Sequence, residues 1–236
     1  MTKTKRMIES HLKAVDVVAE LLDARIPMSS ANPMVEELVQ GKPRIVILNK
    51  ADLADPKATD RWISYYQKKN IPVVPMSVGN SKNKKKLLSL IRETAEPMLA
   101  KWRKRGIKSR SVRLMILGIP NVGKSTLINF LAGTAATRTA NTPGHTRGKQ
   151  WVRLSEGLDL LDTPGVLWPK FDDQVAALRL AATGAIAGDV FNADEVVPEL
   201  LASLAETAPW VLQEKYDIED VHQDPQLLLE AAGRRR

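Results

Sequence analysis

Residues 112–125 read Val112-Arg113-Leu114-Met115-Ile116-Leu117-Gly118-Ile119-Pro120-Asn121-Val122-Gly123-Lys124-Ser125. Val112–Leu117 is the apolar run of a buried strand, and Thr126–Ala132 continues as a helix. A strand that enters a helix through Gly-x-x-x-x-Gly-Lys-Ser is a phosphate-binding loop. Its glycines let main-chain N–H groups curl around phosphate oxygens, and the positive end of the helix points at the same place. Lys124 is expected to reach the β- and γ-phosphates, and the Ser125 hydroxyl to ligate Mg²⁺. A glycine-rich turn followed by an incidental Lys-Ser is the alternative, and the placement between strand and helix speaks against it.

Working outward, Asp162-Thr163-Pro164-Gly165 follows the apolar run Leu158–Leu161 and lies 44 residues beyond Gly118, with Thr146 between them. An Asp at a strand tip beside a phosphate loop can hold the water shell of Mg²⁺. The Gly165 N–H can meet a γ-phosphate and sense its loss. Upstream, Arg44-Ile45-Val46-Ile47-Leu48 runs into Asn49-Lys50-Ala51-Asp52. A carboxylate only accepts hydrogen bonds, and guanine offers two adjacent donors on its N1 and N2 edge. Adenine would leave Asp52 facing a lone pair. Asn49 can tie the turn together, the Lys50 stem can lie along the base, and Ser77 at the end of the next strand can support the base from the other side. The expected nucleotide contacts are therefore Asn49, Lys50, Ala51, Asp52, Met76, Ser77, Asn121, Val122, Gly123, Lys124, Ser125, Thr126 and Gly165. Lys124, Thr146 and Gly165 are expected in catalysis.

The chain has 236 residues, enough for one large domain or a medium domain with a small one. Strands alternate with helices up to about residue 172, which predicts a mostly parallel sheet with helices on both faces. The expected helices span Lys3 to about Ala14, Met34–Gln40, Asp55 to near Asn70, and Lys84 to about Ala100, with Ala24–Pro33 a loop and a basic connector after Ala100. From about Asp173 the strands stop, and Gln174–Ala187, Asp194–Glu206, Pro209–Lys215 and Asp224–Ala232 read as helices. The expected domains are residues 1–172, binding GTP, and 173–236, all helical. There is no cysteine, so disulfides and thiolate metal sites are excluded. No apolar run reaches membrane-spanning length, and the basic N-terminus lacks an apolar signal core, so no membrane partner and a cytoplasmic location are expected. The formal charge is +8, clustered at Lys82–Lys86, at Lys101–Arg113 and at Arg234–Arg236. Clustering favours a polyanionic partner over a merely basic soluble surface.

The motif order is unusual. In ordinary GTPases the phosphate loop precedes the base-reading turn; here the turn comes first, by about seventy residues. A circular permutation accounts for this without altering the sheet. With that order, Asp23-Ala24-Arg25-Ile26-Pro27, Pro143-Gly144-His145-Thr146 and Asp162-Thr163-Pro164-Gly165-Val166-Leu167-Trp168-Pro169, the chain resembles the ribosome biogenesis GTPase A family over essentially its whole length. The resemblance implies a P-loop GTPase fold in permuted order with a small helical C-terminal domain. It also implies a bacterial or organellar monomer that cycles between GTP and GDP, acts late in large-subunit assembly, and meets the subunit precursor, ribosomal RNA and ribosomal proteins. Position by position, Ser125, Thr146 and Asp162 resemble the Mg²⁺ ligands, and Asn121 resembles the residue that helps hold K⁺.

Catalysis departs from the small-GTPase pattern. The position after Asp-x-x-Gly is Val166, where many GTPases carry a water-orienting glutamine. A low intrinsic rate, raised by the ribosomal particle, is expected. The family's usual N-terminal segment with its proposed catalytic His has no counterpart here, and His11 does not inherit that role. A nucleotide-gated RNA-binding module with incidental hydrolysis is the alternative reading.

Overall fold

Seven consecutive buried residues, Val17–Asp23, form the central strand β1. In the computed structural model, which describes residues 2–39, 41–107, 110–133, 151–161, 173–186 and 192–234, β1 pairs in parallel with β2 (Arg44–Asn49) on one side and β4 (Val112–Gly118) on the other. β3 (Val73–Met76) adds to β2 and forms one edge, where Pro75, which has no N–H to donate, is tolerated. β6 (Leu158–Leu161) runs parallel to β4, and β5 (Trp151–Ser155) closes the other edge antiparallel, with a bulge between Arg153 and Ser155. The order is β3-β2-β1-β4-β6-β5. This is the mostly parallel sheet read from the sequence: strands covered on both faces need continuous apolar runs.

The helices occupy both faces. β2 follows β1 through α2 (Pro27–Ser30) and α3 (Pro33–Leu38), and β3 follows β2 through α4 (Pro56–Lys68), each step in the same direction along the sheet. Right-handed crossovers put these helices on one face. There Ile8 and Leu12 of α1 (Thr2–Leu12) and Val35 of α3 pack on Val18, Met115 and Leu161, while Tyr66 of α4 packs on Leu22, Val46 and Leu48. The next crossover, from β3 back to β4 through α5 (Ser81–Lys104), reverses direction and takes the opposite face. α5 buries Leu87, Ile91 and Ala95 at helical spacing. The Lys84 ammonium donates to the Phe130 carbonyl of α6 (Lys124–Ala132) at 3.0 Å, so α6 lies beside α5.

Several boundaries differ from the expectation. α5 begins at Ser81 because the Asn80 side chain caps it, accepting from the Lys82 and Asn83 amides. It continues past Ala100, since Lys101, Arg103 and Lys104 favour the negative end of a helix. Part of the expected loop is a single helical turn, α2, started by Pro27, whose fixed φ suits a first helical position. α4 starts as expected, with Asp55 accepting from the Lys57 and Ala58 amides.

By its contacts the chain divides into two compact units, Met1–Pro169 and Lys170–Arg236. The second contains α7 (Gln174–Ala182), α8 (Ala193–Thr207), α9 (Pro209–Tyr216) and α10 (Pro225–Arg234). Its core is Leu201, Ala205, Leu212, Ile218, Val221 and Leu228. α7 ends five residues before the expected Ala187, because Gly184 takes a positive φ of 73° and the Ala185 amide bonds back to Leu180.

Candidate functional site

The carboxyl ends of β1, β2, β3 and β4 meet at one edge of the sheet. Asp23, Asn49 and Met76 stand side by side there, and Gly118 aligns with Leu21, two residues short of Asp23. From β1 the chain turns towards β3, and from β4 it turns towards β5, so the helices that follow lie on opposite faces. Such a switch point opens a crevice at the strand ends, where α/β sheets bind ligands.

The phosphate loop starts at this crevice. A Cβ on Gly118 would lie 2.9 Å from the Leu21 carbonyl and 3.0 Å from the Val122 side chain, so the strand leaves the sheet through a residue with no side chain. Ile119 and Val122 are buried and anchor the loop from beneath, while Asn121 is exposed and carries a φ of 55°. Gly123 has a φ of 95°, and a Cβ there would stand 2.5 Å from the Asn49 amide nitrogen. Lys124 is half-buried in the first turn of α6, with Ser125 and Thr126 exposed beside it. The Leu127 amide bonds to the Gly123 carbonyl, which starts the helix at the loop's last glycine.

The Asn49–Asp52 turn is tied to this loop from below. The Asn49 side-chain amide donates to the Val122 carbonyl at 2.8 Å, across 73 residues of sequence, and Asn49 is 2% exposed. Lys50 takes the left-handed conformation, φ 58° and ψ 35°, and its ammonium donates to the Asn121 carbonyl at 3.1 Å. Ala51–Leu53 is a short 3-10 turn that leaves Asp52 exposed. Met76 is buried, and Ser77 is half-buried at the start of the turn into α5. The structure thus brings together, at one edge, Asn49, Lys50, Ala51, Asp52, Met76, Ser77, Asn121, Val122, Gly123, Lys124, Ser125 and Thr126. Thr146, Asp162, Gly165 and Val166 lie outside the described residues.

Sequence reasoning missed a layer beneath the turn. Asp23 is 1% exposed. Its carboxylate lies 3.0 Å from the Lys50 ammonium and takes two bonds from the Arg25 guanidinium, at 2.9 and 2.7 Å. The Arg25 amide also donates to it, and the Asp23 amide donates to the Ser30 hydroxyl of α2. Burial pushes the Asp23 carboxyl up, but the bonds from Arg25 and Lys50 outweigh burial and hold it below the ordinary carboxylate range. The sequence signal was an ionisable residue closing a fully buried, mostly apolar strand, with an arginine two positions on; such a residue needs a partner.

Comparison with known proteins fits this geometry. A ribosome biogenesis GTPase A of Bacillus licheniformis is 43% identical over 236 residues, covering 100% of this chain and 83% of that protein. The chain belongs to the ribosome biogenesis GTPase A family. A family model described as 50S ribosome-binding GTPase matches residues 113–221. A mitochondrial ribosome-associated GTPase 1 of Ictalurus punctatus is 33% identical, covering 97% of this chain and 74% of that one. Among solved structures, GNP-bound YlqF from T. maritima is similar at a TM-score of 0.65 and 26% identity, covering 98% and 94% of the two chains. The permuted GTPase fold of the family is the fold found here.

Proposed function

We propose that this member of the ribosome biogenesis GTPase A family binds GTP at the crevice between β1 and β4 and hydrolyses it in the service of large-subunit assembly. The observation that carries the reading is the bond from Asn49 to the Val122 carbonyl. It couples the turn suited to guanine to the loop suited to phosphates, as one nucleotide spanning both requires.

In this reading Asp52 accepts from the guanine N1 and N2 donors, and Ala51, Met76 and Ser77 line the base. The main-chain N–H groups of Asn121–Thr126 cradle the phosphates, and Lys124 neutralises the charge that spreads over them as the bond breaks. Ser125, Thr146 and Asp162 offer two hydroxyls and a carboxylate, an all-oxygen set suited to a hard cation such as Mg²⁺. Held there, Mg²⁺ would supply positive charge that offsets the charge developing on the phosphates. The exposure of Ser125 in the first turn of α6 supports that role. K⁺ near Asn121 would add positive charge on the same side. Thr146 and Gly165 report the γ-phosphate to the rest of the chain.

Val166 cannot orient a water, so turnover is slow until the ribosomal particle completes the site. Ribosomal RNA is the polyanionic partner, and the first unit supplies its contacts: Lys82, Lys85 and Lys86 are exposed at the start of α5. The deciding measurement is GTP turnover with and without large subunits, in K⁺ and in Na⁺. Subunits are expected to raise the rate. A rate indifferent to subunits, with RNA binding still gated by nucleotide, would favour the RNA-binding module with incidental hydrolysis.

A further inference from the structure

The charge of this chain is divided by unit. Lys170–Arg236 holds six Lys and Arg against thirteen Asp and Glu, out of chain totals of 35 and 27. The helical unit is therefore at −7 and the remainder at +15, although the whole is only +8. A surface that meets RNA phosphates needs the opposite sign from the one the helical unit carries.

Within that unit, α8 carries two apolar stripes. Leu201 and Ala205 face the core shared with α9 and α10. Val196 and Leu200 form a second stripe, opposite Val175, Leu178 and Ala182 of α7, and together they floor an open groove. The floor is not closed over: Val175 is 53% exposed and Leu200 41%. Glu199 and Glu206 line the same groove, with Arg179 as the one cation among its lining residues. A second depression continues it past Leu178 and Glu199 to Asp194, Glu195 and Asp224. Among the described residues none of these five carboxylates is in an ion pair. Asp194 and Glu195 sit in the first turn of α8, where they offset the helix's positive end. That explanation fails for Glu206, which adds negative charge to the already negative end.

We infer that this groove binds a basic, amphipathic segment of a partner protein, its apolar face on the α7–α8 floor and its Lys and Arg side chains on the acidic rim. An apolar floor inside an acidic rim matches such a segment in both respects, whereas RNA is repelled by the rim and gains little from aliphatic side chains. The inference goes beyond the nucleotide reading: it gives the α7–α8 face of the second unit a protein partner.

The test uses the full chain with GDP bound and a fluorescent helical peptide of Lys and Leu, arranged with one apolar face. A scrambled peptide of the same composition, an all-Glu counterpart and an RNA hairpin serve as comparisons. The patterned peptide is expected to bind saturably and more tightly than the scrambled one, and to weaken as salt rises. Glu199→Lys with Glu206→Lys, and separately Leu200→Ser, should each weaken it about tenfold. All three positions are exposed, so the variants should fold; GDP affinity measured on the same samples checks this and tests the nucleotide site independently. Equal binding of the scrambled peptide, indifference to these substitutions, or protection of α8 from hydrogen exchange by the RNA hairpin but not by the peptide would each overturn the inference.

Discussion

The Lys50 ammonium lies 3.0 Å from the Asp23 carboxylate, at the end of the neighbouring strand, and enters its turn with a φ of 58°. Lysine has no intrinsic reason to adopt that conformation, which costs on the order of 1 kcal/mol. The ion pair and the bond to the Asn121 carbonyl hold it there. Asp23 therefore acts through Lys50 to place the backbone that presents Asp52. Asp23→Ala leaves two cations, each about a quarter exposed, without their acceptor. Breaking a fully buried pair costs about 3–5 kcal/mol, and the remaining solvent contact reduces this to about 1–3 kcal/mol. Thermal unfolding should drop accordingly, and GDP affinity should fall with it. Arg25→Ala, which leaves the Lys50 pair in place, should lower affinity less.

The pH dependence follows from two buried carboxylates on β1 that respond in opposite directions. Asp23 is held below its ordinary value, so its contribution is fully present above the unfolded carboxylate range and is lost as pH falls through the lower folded value. Glu20 is raised: burial pushes it up, and Arg44 pulls it back only part of the way. Its ionisation therefore costs stability as pH rises through its folded value. Acid unfolding followed by circular dichroism should show a shallower acid limb for Asp23→Asn. Glu20→Gln, which keeps an acceptor for Arg44, should lose less stability than the wild type on going from mildly acidic to neutral pH. If Asp23→Asn leaves the acid limb unchanged, the charge-assisted bonds at Asp23 are not the origin of that limb.

Much of this was legible in the sequence, for identifiable reasons. β1, β2 and β4 are largely apolar, mostly buried runs too short for a helical amphipathic pattern, and the loop at Gly118–Ser125 has a spacing few other structures produce. The permuted order followed from where Asn49–Asp52 stood relative to that loop. Helix ends were less legible, since the start of α5 depends on one side-chain cap at Asn80 and the end of α7 on one glycine conformation. Asp23 and Arg25 stood in the Asp23–Pro27 signature without a role, and Lys50 was read only as a contact of the base, not as the partner of Asp23. Asp23 and Lys50 are 27 residues apart in sequence and meet only because β1 and β2 end in register.

Gly123 is constrained twice, by a φ of 95° and by the Asn49 amide 2.5 Å from where a Cβ would sit. Gly123→Ala must either displace Asn49 from the Val122 carbonyl or distort the loop. The backbone conformation alone costs about 1–2 kcal/mol, and the lost bond adds to it. Binding of a fluorescent GDP analogue should weaken by tenfold or more. Gly157→Ala is the control: Gly157 also has a positive φ, 73°, but lies in the β5–β6 turn with nothing within 4 Å of the added carbon. It should cost stability without changing GDP affinity relative to the wild type.

The proposed nucleotide site assigns base selection to Asp52, whose exposed carboxylate leaves the 3-10 turn at the edge of the crevice. An ionised carboxylate presents acceptors only, and guanine answers with two donors. Asp52→Asn replaces one acceptor by a donor, which then faces the guanine amine. The loss for GDP should be on the order of a few kcal/mol, because a polar group is left unpaired in the site. Xanthine carries an oxygen where guanine carries that amine, so the asparagine amide regains a partner. The variant should therefore bind XDP more tightly than GDP, while the wild type prefers GDP. Measuring both affinities in both proteins gives a double difference that a general loss of stability cannot imitate. Parallel weakening for the two nucleotides would remove Asp52 from base recognition.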